Sequence, residues 1–77
     1  QVNGTIIDVG CGYGTFTLPV ARLTGQRVVG IDIEAPLIAE LERRALISGL
    51  TQVRSEVRDV AANGLAQADD SAAAVLL

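Results

Sequence analysis

Three glycines stand at alternate positions directly after an apolar segment that ends in an acid. The sequence IIDVGCGYG places Asp8 two residues before the first of them, and the glycines are Gly10, Gly12 and Gly14. A chain that needs only a turn can use one glycine, since one residue with positive φ is enough to reverse it. Three missing side chains predict instead a loop whose backbone lies directly against a ligand.

Four short segments have the composition of strands. Residues 4–9 and 27–32 are β-branched and nearly all apolar, as strands buried on both faces are. Residues 53–59 alternate between Val or Ser and charged side chains, which predicts a half-exposed strand at a sheet edge. The segment AAAVLL, residues 72–77, is apolar on both faces and predicts a central strand.

Two segments between these strands have the length and periodicity of helices. The first, residues 15–24, predicts a buried face of three apolar residues: Phe16, Val20 and Leu23. The second begins near Pro36 and ends at Gly49, both of which suit helix ends. Its predicted buried face contains Ile38, Leu41 and Ala45.

The element order β-α-β-α-β-β predicts an α/β fold, the first half of a doubly wound and mostly parallel sheet that stops after strand four. Ligands of such sheets bind at the carboxyl ends of the strands, where the strand order reverses. Asp8, Asp32 and Asp59 each close or nearly close a predicted strand, so they are expected along that edge. Because the chain begins at Gln1 and stops within an apolar segment, we expect residues 1–77 to be part of a larger single domain.

Composition excludes several kinds of site. The 77 residues include no histidine, no lysine and a single cysteine, Cys11. A disulfide framework, a cysteine cluster for a metal and a P-loop lysine are therefore absent from this chain, and no metal site is expected. The net charge of −3 provides no basic stripe for nucleic acid within this segment. No apolar run reaches the roughly 18 residues of a membrane span, so no membrane partner is expected.

The acids at the predicted sheet edge indicate the chemistry of the ligand. An ionised Asp32 at the end of strand two is placed to accept hydrogen bonds from a ribose diol and would repel a 2′-phosphate. Asp59, after strand three, is placed to receive an exocyclic amine. The amino end of the first helix favours a negatively charged group. Together these positions predict a pocket for an adenosine with a polar tail.

The motif IIDVGCGYG, followed by VVGIDIE, resembles the class I S-adenosylmethionine-dependent methyltransferases, which have a Rossmann-like fold. The resemblance implies that the glycine loop passes under the methionine moiety and that Asp8 positions its amino end. It also implies that Asp32 holds the ribose hydroxyls and that Ile33 packs on an adenine face. The full set of cofactor-binding residues implied in this way is Asp8, Gly10, Gly12, Gly14, Asp32, Ile33, Asp59 and the backbone of Val60.

Other functions remain open for the same pattern. A dinucleotide-dependent oxidoreductase would show G-x-G-x-x-G, whereas the third glycine here comes one position early and Asp8 precedes the motif. An aminopropyltransferase and a non-catalytic methyltransferase-like scaffold are further alternatives. Asp32 and Asp59 are also compatible with ordinary solvated acids at strand ends.

The resemblance implies methyl transfer by in-line displacement in the cytoplasm, with S-adenosylmethionine as cofactor. The acceptor is left open between RNA, protein and a small molecule, and no catalytic base is assigned to this chain. Cys11 is expected to fill space in the loop, because no histidine or lysine is present to lower its pKa. Tyr13, at the tip of the loop, is expected either to cover the ligand or to face solvent.

Overall fold

The computed structural model describes residues 4–59 and the backbone of residues 72–76. Its elements alternate along the chain as the sequence predicts. They are β1 (Thr5–Val9), α1 (Thr17–Thr24), β2 (Val28–Asp32), α2 (Ala35–Ile47), β3 (Val53–Val57) and β4 (Ala72–Leu76). This order confirms the predicted α/β half of a doubly wound fold.

The four strands form one parallel sheet in the order β3-β2-β1-β4. Ile7 of β1, for example, pairs with Val29 of β2 on one side and with Val75 of β4 on the other. The chain first extends the sheet from β1 towards β3 and then returns to the far side of β1. The strand order therefore reverses at β1, so the carboxyl end of β1 is the switch point where ligands of such sheets bind.

The positions of the outer strands bear on two predictions. The half-exposed segment β3 lies at one end of the described sheet, as its alternating pattern predicts. β4 lies at the other end, beside β1. A central position for β4 would require a further strand on its far side, so that part of the prediction remains a prediction.

The buried apolar residues form three clusters: Ile6 and Val28 with Ala21 of α1, Ile38 and Leu41 of α2 with Cys11, and Ile7, Val29 and Ile31 of the two inner strands. Ile7, Val28 and Ile31 are fully buried, and so is Leu41 on α2. The predicted inner face of α2 is confirmed, since Ile38 and Ala45 are buried with Leu41. Complete burial of one such aliphatic side chain contributes about 1.5–3 kcal/mol. Leu41 and Cys11 both lie against Gly30 of β2, and this packing fixes α2 beside that strand.

The predicted inner face of α1 is wrong at two of its three residues. Val20 is half-buried and packs against the core, but Phe16 and Leu23 are 72% and 86% exposed. Thr17 and Ala21 are completely buried instead. Phe16 is the residue before the helix, so a period counted from it starts one position too early. Ala21 packs in the cluster around β1 and β2, where its small side chain allows the helix axis to approach the sheet closely.

Both helices end as the sequence predicts. Gly25 and Gly49 follow α1 and α2 with φ values of 69° and 70°, the left-handed conformation that glycine adopts without a steric penalty. Neither helix in residues 4–59 has the length and apolar character needed to cross a bilayer.

Candidate functional site

The loop between β1 and α1, residues 10–16, is folded back against the end of β2. The backbone N–H groups of Gly10 and Cys11 both donate to the carbonyl oxygen of Ile31, at 2.7 and 3.1 Å. The next amide, that of Gly12, donates to Oδ2 of Asp32 at 3.0 Å. Successive parts of the loop are therefore held by backbone and side-chain acceptors at the carboxyl end of β2.

All three glycines of this loop have a positive φ, but they differ in which protein atoms surround them. Their φ values are 72°, 58° and 103° for Gly10, Gly12 and Gly14. A Cβ atom at Gly14 would lie 2.7 Å from Leu41 Cδ1 and 3.0 Å from Leu18 Cγ, so the protein itself fills that space. At Gly10 and Gly12 no protein atom lies within 4 Å of such a Cβ. The backbone surface is open at the first two glycines only.

Asp32 sits between this loop and the start of α2. Its Oδ2 accepts the Gly12 N–H, and its Oδ1 accepts the Glu34 N–H at 2.9 Å. Glu34 occupies the N-cap position of α2 and makes no side-chain cap. A carboxylate offers about four lone-pair positions, so two remain for a ligand. The half-buried Asp32 thus combines a structural role with spare acceptor capacity.

Asp8 is placed differently, beneath the loop. It is 6% exposed, and its Oδ2 accepts a hydrogen bond of 2.6 Å from Oγ1 of Thr17. Thr17 is absent from the residues that sequence reasoning identifies. It is the first residue of α1, and its hydroxyl contacts an acid on another element, which local periodicity does not report. One feature of the sequence could have identified Thr17. It lies four positions before the small residue Ala21 and therefore on the same side of the helix.

A cavity of about 210 Å³ opens at the carboxyl ends of β1 and β2. It brings together four of the residues that the sequence predicts for the cofactor: Gly10, Asp32, Ile33 and Asp59. Its other lining residues are Val9, Ile31 and Arg58. The remaining predicted residues, Asp8, Gly12 and Gly14, do not line it, and Val60 lies outside the described residues. Ile33 is 58% exposed, which leaves an apolar surface at the cavity mouth.

Arg58 is the second residue that sequence reasoning misses. The alternating pattern of β3 predicts it on a solvated face, but it is half-buried and lines the cavity. Its backbone N–H donates to the carbonyl oxygen of Asp32 at 2.9 Å, which extends the β2–β3 pairing past the end of β3. Its guanidinium pairs with Glu56. One positive side chain therefore stands among the acids of this edge.

A larger groove, of about 410 Å³, lies between the end of α2 and the beginning of β3. Leu46, Gly49 and Thr51 are among its lining residues. This position is at the amino end of the strands, whereas ligands of open α/β sheets bind at the carboxyl end. The smaller cavity is accordingly the candidate site.

Tyr13, at the tip of the loop, rests on α2. The guanidinium of Arg44 lies 4.5 Å from the centre of the Tyr13 ring, a cation–π contact. Glu40 accepts a hydrogen bond of 2.7 Å from Arg44 and so holds the guanidinium in place. The ring is 44% exposed and does not line the cavity. This placement favours the solvent-facing alternative for Tyr13.

Cys11 is a packing residue. Burial, together with the nearby negative charges of Asp8 and Asp32, raises the pKa of its thiol to about 12. The side chain is 7% exposed and lies against Gly30 of β2. At neutral pH it is a protonated thiol and therefore a poor nucleophile. Within residues 4–59, no three side chains of His, Cys, Asp or Glu are grouped as metal ligands.

A family model described as "Methyltransferase domain" matches residues 6–77. Among solved structures, coclaurine N-methyltransferase bound to N-methylheliamine and SAH superposes with a TM-score of 0.78 at 25% identity, over 86% of this chain and 20% of that one. Geranyl diphosphate C-methyltransferase from Streptomyces coelicolor, in complex with Mg²⁺, geranyl diphosphate and S-adenosyl-L-homocysteine, gives 0.73 at 32% identity, over 78% and 24%.

A curated relative extends the comparison to function. The 23S rRNA (uracil(1939)-C(5))-methyltransferase RlmD of Acidithiobacillus ferrooxidans is 43% identical over 61 residues, which are 78% of this chain. The chain spans only 14% of the length of that relative. With the motif spacing, the strand order and the open glycine backbone, these matches show that the chain belongs to the methyltransferase-domain family, in the S-adenosylmethionine-dependent class I.

Proposed function

We propose that the protein is an S-adenosylmethionine-dependent methyltransferase and that residues 4–59 carry much of its cofactor site. The observation that supports this most directly is the open backbone at Gly10 and Gly12 beside the Asp32 carboxylate. All three lie at the switch point of a parallel sheet, where ligands of this fold class bind. We further infer that residues 1–77 are one part of a larger domain, because they match only 14% of the relative's length.

The described residues fit the cofactor group by group. Asp32 retains two acceptor positions for a ribose diol after its bonds to Gly12 and Glu34. Ile33 offers an exposed apolar surface for one face of an adenine ring. Asp59 lines the same cavity and is proposed, with the backbone of Val60, for the adenine edge. Asp8 is proposed for the amino end of the methionine moiety, with Gly10, Gly12 and Gly14 forming the loop beneath it.

The contribution of these residues to catalysis is binding and orientation. When bound, S-adenosylmethionine supplies a methyl group on a positively charged sulfur, which is already an activated electrophile. The folded-back loop and the Asp32 carboxylate fix the orientation of the ligand, and orientation alone can supply roughly 7–11 kcal/mol of a reaction barrier. Cys11 is not proposed as a nucleophile, because its pKa of about 12 keeps it protonated. The acceptor-activating residue is expected outside this chain.

For the acceptor we propose RNA. The support is the 43% identity to an enzyme named for methylating C5 of a uracil in 23S rRNA. The matched segment carries the proposed cofactor site, and the net charge of −3 offers no basic surface for a phosphate backbone. The RNA-binding surface is therefore proposed in the part of the protein beyond this chain, and a cytoplasmic location follows from an rRNA acceptor.

The alternatives predict different ligands. An oxidoreductase of related fold would bind NAD, but Gly14 occupies a position one residue short of the third glycine in its loop. An aminopropyltransferase would use decarboxylated S-adenosylmethionine, which keeps the adenosine and loses the carboxylate. A non-catalytic scaffold would bind S-adenosylhomocysteine without transferring a methyl group.

The test begins with calorimetric titration of the full-length protein with S-adenosylhomocysteine and, separately, with NAD. Binding of S-adenosylhomocysteine in preference to NAD is expected, and tight NAD binding with no response to S-adenosylhomocysteine would refute the proposal. Transfer of tritium from methyl-labelled S-adenosylmethionine is then measured with 23S rRNA from cells that lack the protein. Cofactor binding without transfer to this RNA would remove the proposed acceptor and leave the cofactor assignment standing.

A further inference from the structure

The contact between Thr17 and Asp8 is a side-chain hydrogen bond whose partners are both buried. Its length of 2.6 Å lies in the range of O–H···O⁻ bonds, which are about twice as strong as neutral ones. Thr17 has no exposed surface and Asp8 has 6%. A pairing of this kind specifies the orientation of the carboxylate, because either partner left alone would be a buried polar group without its bond.

The hydroxyl of Thr17 does not serve its own helix. A Ser or Thr near a helix start commonly bonds to the free amides of the first turn, but the N-cap of α1 is Phe16, which makes no side-chain cap. The first turn of α1 carries no acidic residue either. Through Thr17, the carboxylate of Asp8 is held beside the positive end of α1, a favourable position for an anion.

The bond also gives the two carboxylate oxygens of Asp8 different environments. Oδ2 is occupied by Thr17, whereas Oδ1 accepts no hydrogen bond from the described residues and, unlike Oε1 of Gln26, is not sealed from solvent. The residues that follow Asp8, Val9 and Gly10, line the candidate cavity. One carboxylate oxygen is therefore anchored below the loop while the other remains available at the end of β1.

We propose that Thr17 is a positioning residue that keeps Oδ1 of Asp8 available to the ammonium group at the methionine end of the cofactor. This inference depends on the proposed function of the chain as a cofactor site. Thr17 acts only through Asp8 and touches no reacting atom. Its removal should weaken ligands that carry the amino acid moiety and spare those that lack it.

The test uses two ligands and two substitutions in the full-length protein. S-adenosylhomocysteine carries the ammonium group, and 5′-methylthioadenosine is the corresponding nucleoside thioether without the amino acid. Thr17→Val keeps the shape of the side chain and removes the hydroxyl, whereas Thr17→Ser keeps the hydroxyl. Affinities are measured by calorimetry, and circular dichroism confirms that each variant is folded.

Thr17→Val is expected to weaken S-adenosylhomocysteine about 10-fold, equivalent to 1.4 kcal/mol, and to change 5′-methylthioadenosine less than about twofold. Thr17→Ser should restore the affinity for S-adenosylhomocysteine. Equal weakening of both ligands would overturn the proposal, because it would show a general role in shaping the loop. Unchanged affinity in folded Thr17→Val would overturn it as well.

If Thr17→Val does not fold, Thr17→Ala repeats the comparison, and failure of both to fold would assign the bond to stability and overturn the positioning role. A double substitution adds a separate check, since Thr17→Val should have no further effect on S-adenosylhomocysteine in an Asp8→Asn background. An additional loss there would show that Thr17 does not act through Asp8. Failure of the wild-type protein to bind either ligand would instead refute the proposed function.

Discussion

The two strand-to-helix junctions of the chain solve the same connection in different ways. After β2, residues 33–34 suffice to reach α2, and Asp32 secures the turn by accepting the Glu34 N–H. After β1, residues 10–16 make the connection, with three glycines at positive φ. Both helices pack on the same parallel sheet, so the extra residues of the first junction are not needed for the connection itself.

The comparison separates folding from function within one loop. Leu41 and Leu18 occupy the space beside Gly14, whereas the space beside Gly10 and Gly12 contains no protein atom. The shorter junction has no counterpart of this open backbone, and its acid, Asp32, reaches across to hold the longer loop. The first junction is therefore shaped for a ligand, and the second supports it.

The largest effect on stability is expected for substitution of Gly14, where the core leaves no room for a side chain. Gly14→Ala combines a φ of 103° with a Cβ contact of 2.7 Å to the fully buried Leu41, so we expect it to destabilise the protein by about 2–4 kcal/mol. Urea unfolding of the full-length protein measures this. Gly25→Ala, which introduces strain but no contact within 4 Å, is the control. A loss no greater than that of Gly25→Ala would contradict the packing role of Gly14.

The acid of the second junction comes next. Asp32→Ala removes acceptors for the ribose and for the Gly12 N–H, so it should weaken S-adenosylhomocysteine by about 1–3 kcal/mol, the range for hydrogen bonds to charged groups. The variant should remain folded, because the residue lies at an open strand end. Calorimetry of the full-length variant measures the loss. Unchanged affinity in a folded variant would leave Asp32 with its structural role alone.

A matched pair of glycines isolates the open backbone. Gly10 and Gly49 have φ values of 72° and 70°, and no atom lies within 4 Å of a Cβ at either position. Replacement by Ala should cost each about 1–2 kcal/mol of stability, the usual penalty of a left-handed backbone. Only Gly10→Ala should weaken S-adenosylhomocysteine. An equal effect of both substitutions on binding would show that the open backbone at Gly10 is not part of the site.

The smallest effect is expected where α2 supports the tip of the first junction. Hydrogen bonds from Arg43 and Arg44 lower the pKa of Glu40 to about 2. A lowered pKa means that the contribution of Glu40 to stability is present above its ordinary value of 4.5 and is lost as the pH falls towards 2. Glu40→Gln should lower the melting temperature slightly at pH 7 in low salt and less in high salt, because surface ion pairs are screened. A shift independent of salt would contradict this origin.

The sequence predicts those features of the fold and the site that depend on local residue patterns. Alternation and β-branched runs identify the strands, and the glycine spacing identifies the loop and the family. The inner face of α2 is predictable because Ile38, Leu41 and Ala45 are apolar and the residues between them are mostly not. The inner face of α1 is not predictable from apolar periodicity. Thr17 is buried there because its hydroxyl bonds to Asp8, and Ala21 is buried because its side chain is small.

The remaining misses are contacts between elements. The second role of Asp32, as acceptor for the Gly12 amide, depends on the loop folding back over β2, which no spacing rule encodes. Arg58 lines the cavity because its backbone continues the pairing with β2 after β3 has ended. Both are consequences of tertiary packing, and each lies at the candidate site.

The strand order also sets the order in which the sheet assembles. Ile6 of β1 pairs with Val28 on one side and with Ala74 on the other, so its two partners are synthesised far apart. Closing the shorter segment costs less chain entropy, and non-local parallel pairings form slowly. We therefore expect β1, β2 and β3 to associate first, while the other edge of β1 stays unpaired until β4 arrives. Of the two inner strands, β1 is then the one that waits longer for its second neighbour, and a nascent chain exposes that edge to other chains during the interval.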